Sequence, residues 1–255
     1  MTEIGRVERY LLERIDSEGA IHITLIDPDK STPQQAAEIA SAALRAGSSA
    51  IMVGGSTLVS TEDLDRVVVS VKEAVDLPVI IFPNNISAVS RHADAIWFMS
   101  LLNSTSTYYL VEAQMLAAPL VKRYGIEAIP MGYIVLGEGG VVGFVGHARP
   151  ISYDHPELAS AYALAAQYLG MRFVYLEAGS GVRRPVPPRV VESVRRVVDI
   201  PLIVGGGIRS GDDAKMLVEA GADIVVTGTL AEEGAGVEEK INSIVRKIRL
   251  RGRRG

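Results

Sequence analysis

Short hydrophobic stretches alternate with helix-length amphipathic ones about eight times along this chain, and no other feature limits its fold as strongly. Strands are expected at 21–26, 50–53, 78–82, 95–99, 127–135, 173–176, 202–204 and 224–226. Helices are expected at 4–17, 32–46, 61–75, 107–124, 157–169, 188–198, 212–220 and 238–248. Between the third and fourth strands only residues 86–92 remain for a helix, about two turns at most, so one crossover is unusually short. The alternation is that of a (β/α)8 TIM-like barrel, here a single domain over residues 1–255 with a basic tail at 246–255. A doubly wound open sheet would have fewer strands and a Gly-x-Gly-x-x-Gly directly after the first, which is absent. A hydrophobic fraction of 48% with only 5% aromatic residues suits a Val/Ile/Leu/Ala-filled parallel sheet covered by helices.

Local punctuation agrees with this division. Pro28 restricts its predecessor and has no N–H for a ladder, so the first strand should stop at Asp27. Thr32-Pro33 reads as a cap followed by a proline at the first helical position, and Gly47 closes that helix. No cysteine is present, which removes disulfides, thiolate metal sites and cysteine nucleophiles. The four histidines show no metal-ligand spacing, and His147 and His155 are expected in solvent. With no apolar run long enough to span a bilayer and no signal-peptide pattern at the N-terminus, a cytoplasmic protein is expected. A formal net charge of −4 argues against nucleic acid as a partner. The tail nevertheless carries six positive and no negative side chains, which suits either a transient contact with anionic lipid headgroups or a solvated helix end.

In such barrels chemistry gathers where the strands end. Those ends read Asp27, Gly54-Gly55-Ser56, Asn84-Asn85, Ser100, Glu177-Ala178-Gly179-Ser180-Gly181, Gly205-Gly206-Gly207 and Gly228-Thr229. Glycine turns after the seventh and eighth strands lie where barrels of this kind hold phosphate, on backbone N–H groups and a helix N-terminus. Glu177 ends the strand before them, against the small-residue turn Gly179-Ser180-Gly181. A carboxylate repels a phosphate, so the two should hold different ends of one polar ligand. Asp27, at the mouth of the first strand, suits a hard divalent cation such as Mg2+, with Lys30 near a second anionic group; an Asx turn capping the next helix is the alternative.

Leu25-Ile26-Asp27-Pro28-Asp29-Lys30, Val53-Gly54-Gly55-Ser56, Tyr175-Leu176-Glu177-Ala178-Gly179-Ser180-Gly181, Gly205-Gly206-Gly207-Ile208-Arg209 and Gly228-Thr229 together resemble the geranylgeranylglyceryl phosphate synthase family, the archaeal lipid prenyltransferases. The resemblance covers nearly the whole chain in the same order. The related bacterial heptaprenylglyceryl phosphate synthases are similar too, but the Asp-Pro-Asp-Lys form looks more like the archaeal members. The resemblance implies a modified barrel with a degenerate third crossover. It also implies transfer of geranylgeranyl from geranylgeranyl diphosphate to the C3 hydroxyl of sn-glycerol 1-phosphate. By the same resemblance Asp27 and Ser56 bind Mg2+, and glycerol phosphate lies along Tyr175, Leu176, Glu177, Ala178, Gly179, Ser180, Gly181, Gly206, Gly207, Gly228 and Thr229.

Residue chemistry fits that reading. Glu177 can hydrogen-bond glycerol hydroxyls and take the proton as an ether forms. Tyr175 either faces an allylic cation or packs in the core. A prenyl chain needs a long apolar groove, for which Trp97, Phe98, Met131, Tyr133 and the glycine-rich stretch 139–146 are candidates. Residues 137–146 are expected as a loop, either a mobile lid or an ordinary connection. Tyr108-Tyr109 and Met115 share helical spacing with Leu116 and Leu120, as in packing or a subunit interface, and a homo-oligomer is expected. The competing functions are a phosphosugar isomerase or lyase on the same barrel, with Asp27 as a second acid/base group, and a non-catalytic phosphate-ligand binding subunit.

Overall fold

The computed structural model describes residues 4–55, 60–228 and 236–249. Eight strands pair in parallel and in chain order: β1 (Ile21–Ile26), β2 (Ala50–Val53), β3 (Val79–Ile81), β4 (Ala95–Leu101), β5 (Glu127–Val135), β6 (Phe173–Glu177), β7 (Leu202–Gly205) and β8 (Ile224–Thr227). Pairing of β8 with β1, through Ile21↔Ile224 to Thr24↔Thr227, closes the barrel. The helices are α1 (Arg6–Glu18), α2 (Pro33–Ala46), α3 (Thr61–Ala74), α4 (Ala113–Tyr124), α5 (Gly140–Val145), α6 (Pro156–Tyr168), α7 (Pro188–Arg195), α8 (Gly211–Ala220) and α9 (Val237–Ile248), with a π-helical turn at Tyr108–Glu112 leading into α4. Every expected strand is present, and the one long element at 107–124 is divided between the π-turn and α4. The expected start of α2 is seen in full: Thr32 and Gln35 form a reciprocal capping box, Pro33 follows, and Gly47 ends the helix at φ +93°.

Two connections set the shape of the site. Between β3 and β4 no helix forms; Asn85 instead makes an Asx turn, its Oδ1 accepting from the Ser87 N–H at 2.7 Å. The outer surface of β4 is thus left without the usual crossover helix. The second connection corrects the sequence reading: residues 140–145, expected as loop, fold as α5. Glycine makes this stretch a poor helix in isolation. Packing overrides propensity here: Gly143 is buried beside Val135 and Pro150, and at Gly146, which ends the helix, a Cβ would collide with the Leu101 side chain.

Strand side chains alternate strictly between two environments. Inward-facing residues such as Ile129, Met131 and Tyr133 on β5, and Phe173 and Tyr175 on β6, fill the barrel. Outward-facing ones pack under the helices in two further clusters, one around β1–β4 and one around β5–β8. α1 stoppers the N-terminal end of the barrel with Val7 and Leu11. The Glu127 carboxylate holds it there, accepting the Val7 and Glu8 N–H groups at 2.7 and 2.8 Å where the helix dipole favours an anion. Glu8 is itself buried and paired by both arms of Arg172 at 2.6 Å. With that end sealed, the C-terminal strand ends are the open mouth.

Candidate active site

Glu177 is two residues past Tyr175 on an inward-facing row, so alternation places its carboxylate at the top of the barrel. It is buried, and three donors fix it. Oε1 accepts the Gly179 N–H at 2.7 Å, Oε2 accepts the Tyr133 hydroxyl at 3.0 Å, and Tyr175 donates as well. Burial pushes its pKa above the usual carboxylate range, and the three hydrogen bonds only partly offset this. The two tyrosines are raised far above their ordinary value, first by burial and then by the neighbouring carboxylate, and stay protonated donors.

Two glycines make room for this group. At Gly205, opposite Glu177 in register, a Cβ would collide with the Tyr175 hydroxyl. At Gly206 it would meet Glu177 Oε1 at 2.6 Å. Gly179, Gly181, Gly206 and Gly207 all have positive φ, between +70° and +118°, the backbone geometry of an anion nest. Gly228, beyond β8, lines the same cleft. The helix that follows the glycine triplet contributes less than its position suggests. The N-terminus of α8 is closed by a capping box between Ser210 and Asp213 and carries Asp212 and Asp213 in its first turn, so the glycine backbone is the better anion site.

Leu176 and Ala178 alternate away from the mouth into the outer core and bring only main chain near the site. Asp27, at the end of β1, is 9% exposed; Oδ1 accepts the Asp29 N–H at 3.0 Å and Oδ2 lies 3.6 Å from Lys30 Nζ. Asp27 thus makes an Asx turn but does not cap α2, which Thr32 does, and its carboxylate also lines the cleft and lies against Gly55. Ser56 and Thr229 lie outside the described residues. Among the described residues no three His, Asp or Glu side chains cluster as a self-sufficient metal site. One carboxylate facing a cleft fits an ion that takes its other ligands from substrate phosphate and water.

From this polar end a cleft of about 1440 Å³ of empty space, open solvent at its mouth included, runs across the top of the barrel. Its far part lies where the third crossover helix is missing. Ile96 and Phe98 of β4, Val89 of the connection, and Ala113 and Ala117 of α4 line it, and Val142 and Val145 of α5 form another wall. Trp97 and Tyr133 also reach the cleft, whereas Met131 is fully buried inside the barrel. Phe82 is not among the candidates that the sequence singles out. Its ring stacks on Tyr175 with centroids 5.4 Å apart and meets Tyr133 edge-on at 5.5 Å, so three aromatic rings stand where the apolar and polar parts join. One face of Tyr175 is thereby covered. The available signal was position: Phe82 ends the third hydrophobic run just before Pro83, the place of Glu177 in the sixth.

Residues 13–248 match the model of the PcrB family. A geranylgeranylglyceryl phosphate synthase of Thermofilum pendens is 56% identical over 245 residues, 96% of each chain. The chain belongs to the PcrB family and is one of its geranylgeranylglyceryl phosphate synthase-type members. The relative from Pyrococcus abyssi bearing the same name is 54% identical over 94% of this chain and 95% of its own. A crystal structure of (S)-3-O-geranylgeranylglyceryl phosphate synthase from Thermoplasma acidophilum, in complex with its substrate sn-glycerol 1-phosphate, superposes with a TM-score of 0.93 at 47% identity, covering 98% of this chain and all of the other. Family membership makes the protein an enzyme, a prenyltransferase of lipid biosynthesis on a TIM-type barrel, as its motifs implied. No helix among the described residues is long and apolar enough to cross a membrane.

Proposed function

We propose that this enzyme transfers the geranylgeranyl group of geranylgeranyl diphosphate to the C3 hydroxyl of sn-glycerol 1-phosphate and releases diphosphate. The observation that carries the reading is Glu177, a buried carboxylate with raised pKa standing between a glycine nest and an apolar cleft. Glycerol phosphate would lie with its phosphate on the backbone of Gly179–Gly181, Gly206-Gly207 and Gly228-Thr229, and its hydroxyls toward Glu177 and Tyr175. The prenyl chain would fill the cleft beside β4, where each buried CH2 contributes about 0.8 kcal/mol.

In the reaction the allylic C1–O bond to diphosphate breaks, the leaving group keeps the electron pair, and the glycerol C3 oxygen bonds to C1. Its proton passes to Glu177, whose raised pKa suits a base that must hold a proton transiently. Phe82 and Tyr133, beside Tyr175, offer ring faces and edges at the same junction, where a π-face stabilises developing positive charge without adding to it. Asp27, with Ser56, would hold Mg2+, which when bound supplies charge neutralisation for the departing diphosphate. A homo-oligomer belongs to the same proposal, supported by Val111, Met115 and Leu116, which are about half exposed or more on the π-turn and α4.

The test is incubation of purified protein with sn-glycerol 1-phosphate, Mg2+ and prenyl diphosphates of different length, with mass spectrometry of the extracted lipid. A C20 monoether that disappears with EDTA or in Asp27→Ala is the expected result. Absence of ether lipid with every donor, alongside measurable glycerol phosphate binding, would overturn the reading.

A further inference from the structure

The barrel closes where β8 meets β1, and on the outer side of that seam the two helix-covered apolar clusters are parted by a buried polar chain. Thr24, Ser48, His22 and Thr227 are each no more than 3% exposed. The Thr24 and Ser48 hydroxyls lie 2.9 Å apart, Ser48 Oγ is 2.8 Å from His22 Nδ1, and His22 Nε2 is 2.9 Å from Thr227 Oγ1. Packing alone does not require this. Val225, the neighbouring outward residue of β8, shows that the same face accepts an apolar side chain. Thr227 is the last residue of β8, lines the cleft, and directly precedes Gly228.

We infer that His22 is a positioning residue for the phosphate end of the acceptor: through Thr227 it holds the end of β8, and with it the Gly228 backbone, at the cleft. The inference rests on the proposed seat of glycerol phosphate. β8 is four residues long, and its last residue, Thr227, has a register partner on β1 but none on β7, so few strand hydrogen bonds fix its end. An imidazole with both nitrogens engaged is a rigid strut that reaches across two strands. Burial holds it neutral, so one nitrogen donates and the other accepts, and the chain of hydroxyls can be satisfied in one sense throughout. A histidine acting this way never touches the ligand. Its loss should weaken acceptor binding and leave chemistry at saturation nearly unchanged.

The experiment measures sn-glycerol 1-phosphate binding by calorimetry, together with KM and kcat, for the wild type, His22→Leu, His22→Gln and Thr227→Val. The expected result is a roughly tenfold weaker Kd and higher KM in His22→Leu, with kcat within about twofold. His22→Gln, whose amide can reach Thr227, should recover most of the affinity. Adding Thr227→Val to His22→Leu should cost little more than either alone. If His22→Leu does not fold, the Gln and Thr227→Val variants carry the test. Unchanged Kd and KM with only a lower Tm, or full additivity of the two substitutions, would overturn the inference while leaving the proposed reaction intact. A wild type that does not bind sn-glycerol 1-phosphate would overturn both.

Discussion

Glu177 shows how much one position depends on its neighbours. A carboxylate at a strand end is unremarkable in sequence; burial raises its pKa, and two tyrosine hydroxyls and a backbone N–H hold it in one orientation, as the proposed base requires. Glu177→Gln keeps the shape and removes the base, and should lower kcat by about 100- to 10,000-fold. Calorimetry should find glycerol phosphate still bound. Gly205 is the reverse case, a residue whose value is its missing side chain. Gly205→Ala pushes a methyl into the Tyr175 hydroxyl and should cost about 1–3 kcal/mol in a denaturant titration, with a fall in kcat as Tyr175 moves off Glu177. Glu177, the glycine turns and Asp27 were legible because strand ends can be counted. Phe82 and the hydroxyl of Tyr133 were not, since their role arises from three strands brought side by side and no local pattern records that.

Among the elements, strands and helices were readable because each has its own period and its own stops, as at Thr32-Pro33 and Gly47. The shortened third crossover was readable too, from the few residues at 86–92, although the sequence left room for about two turns and no helix forms there. α5 was not: four glycines in 139–146 argue for a loop, and only the tertiary packing, with Gly143 buried beside Val135 and Gly146 tight against Leu101, accommodates them in a helix. The consequence of the missing helix is the apolar part of the cleft, with Ala113 and Ala117 one turn apart on its wall. Ala113→Phe should shorten it. Relative kcat/KM for farnesyl over geranylgeranyl diphosphate should then rise at least severalfold, and an unchanged ratio would place the chain elsewhere.

At the scale of the whole molecule, stability should depend on pH through buried groups. Burial holds the His22 imidazole down to about 3 from 6.5, so the folded state keeps it neutral where the unfolded chain takes a proton. The folded pKa is the lower one; the stability is therefore present above 6.5 and is lost progressively as pH falls toward 3. Urea titrations between pH 6 and 4 should show a slope about 1.4 kcal/mol per pH unit smaller in His22→Gln than in the wild type. Glu177 works in the opposite sense. Its folded pKa is raised, so its contribution is present below the unfolded value and lost as pH rises through the folded one.

That raised pKa also yields the most direct measurement of the proposed chemistry. It is the pH dependence of kcat/KM for ether formation, with glycerol phosphate varied, in the wild type and in Glu177→Gln. If Glu177 takes the acceptor's proton, the wild type should lose activity on the acid side with a midpoint above the usual carboxylate range, and the variant should be slow with that limb gone. A variant that keeps wild-type rates, or the same acid limb, would show that Glu177 is not the base.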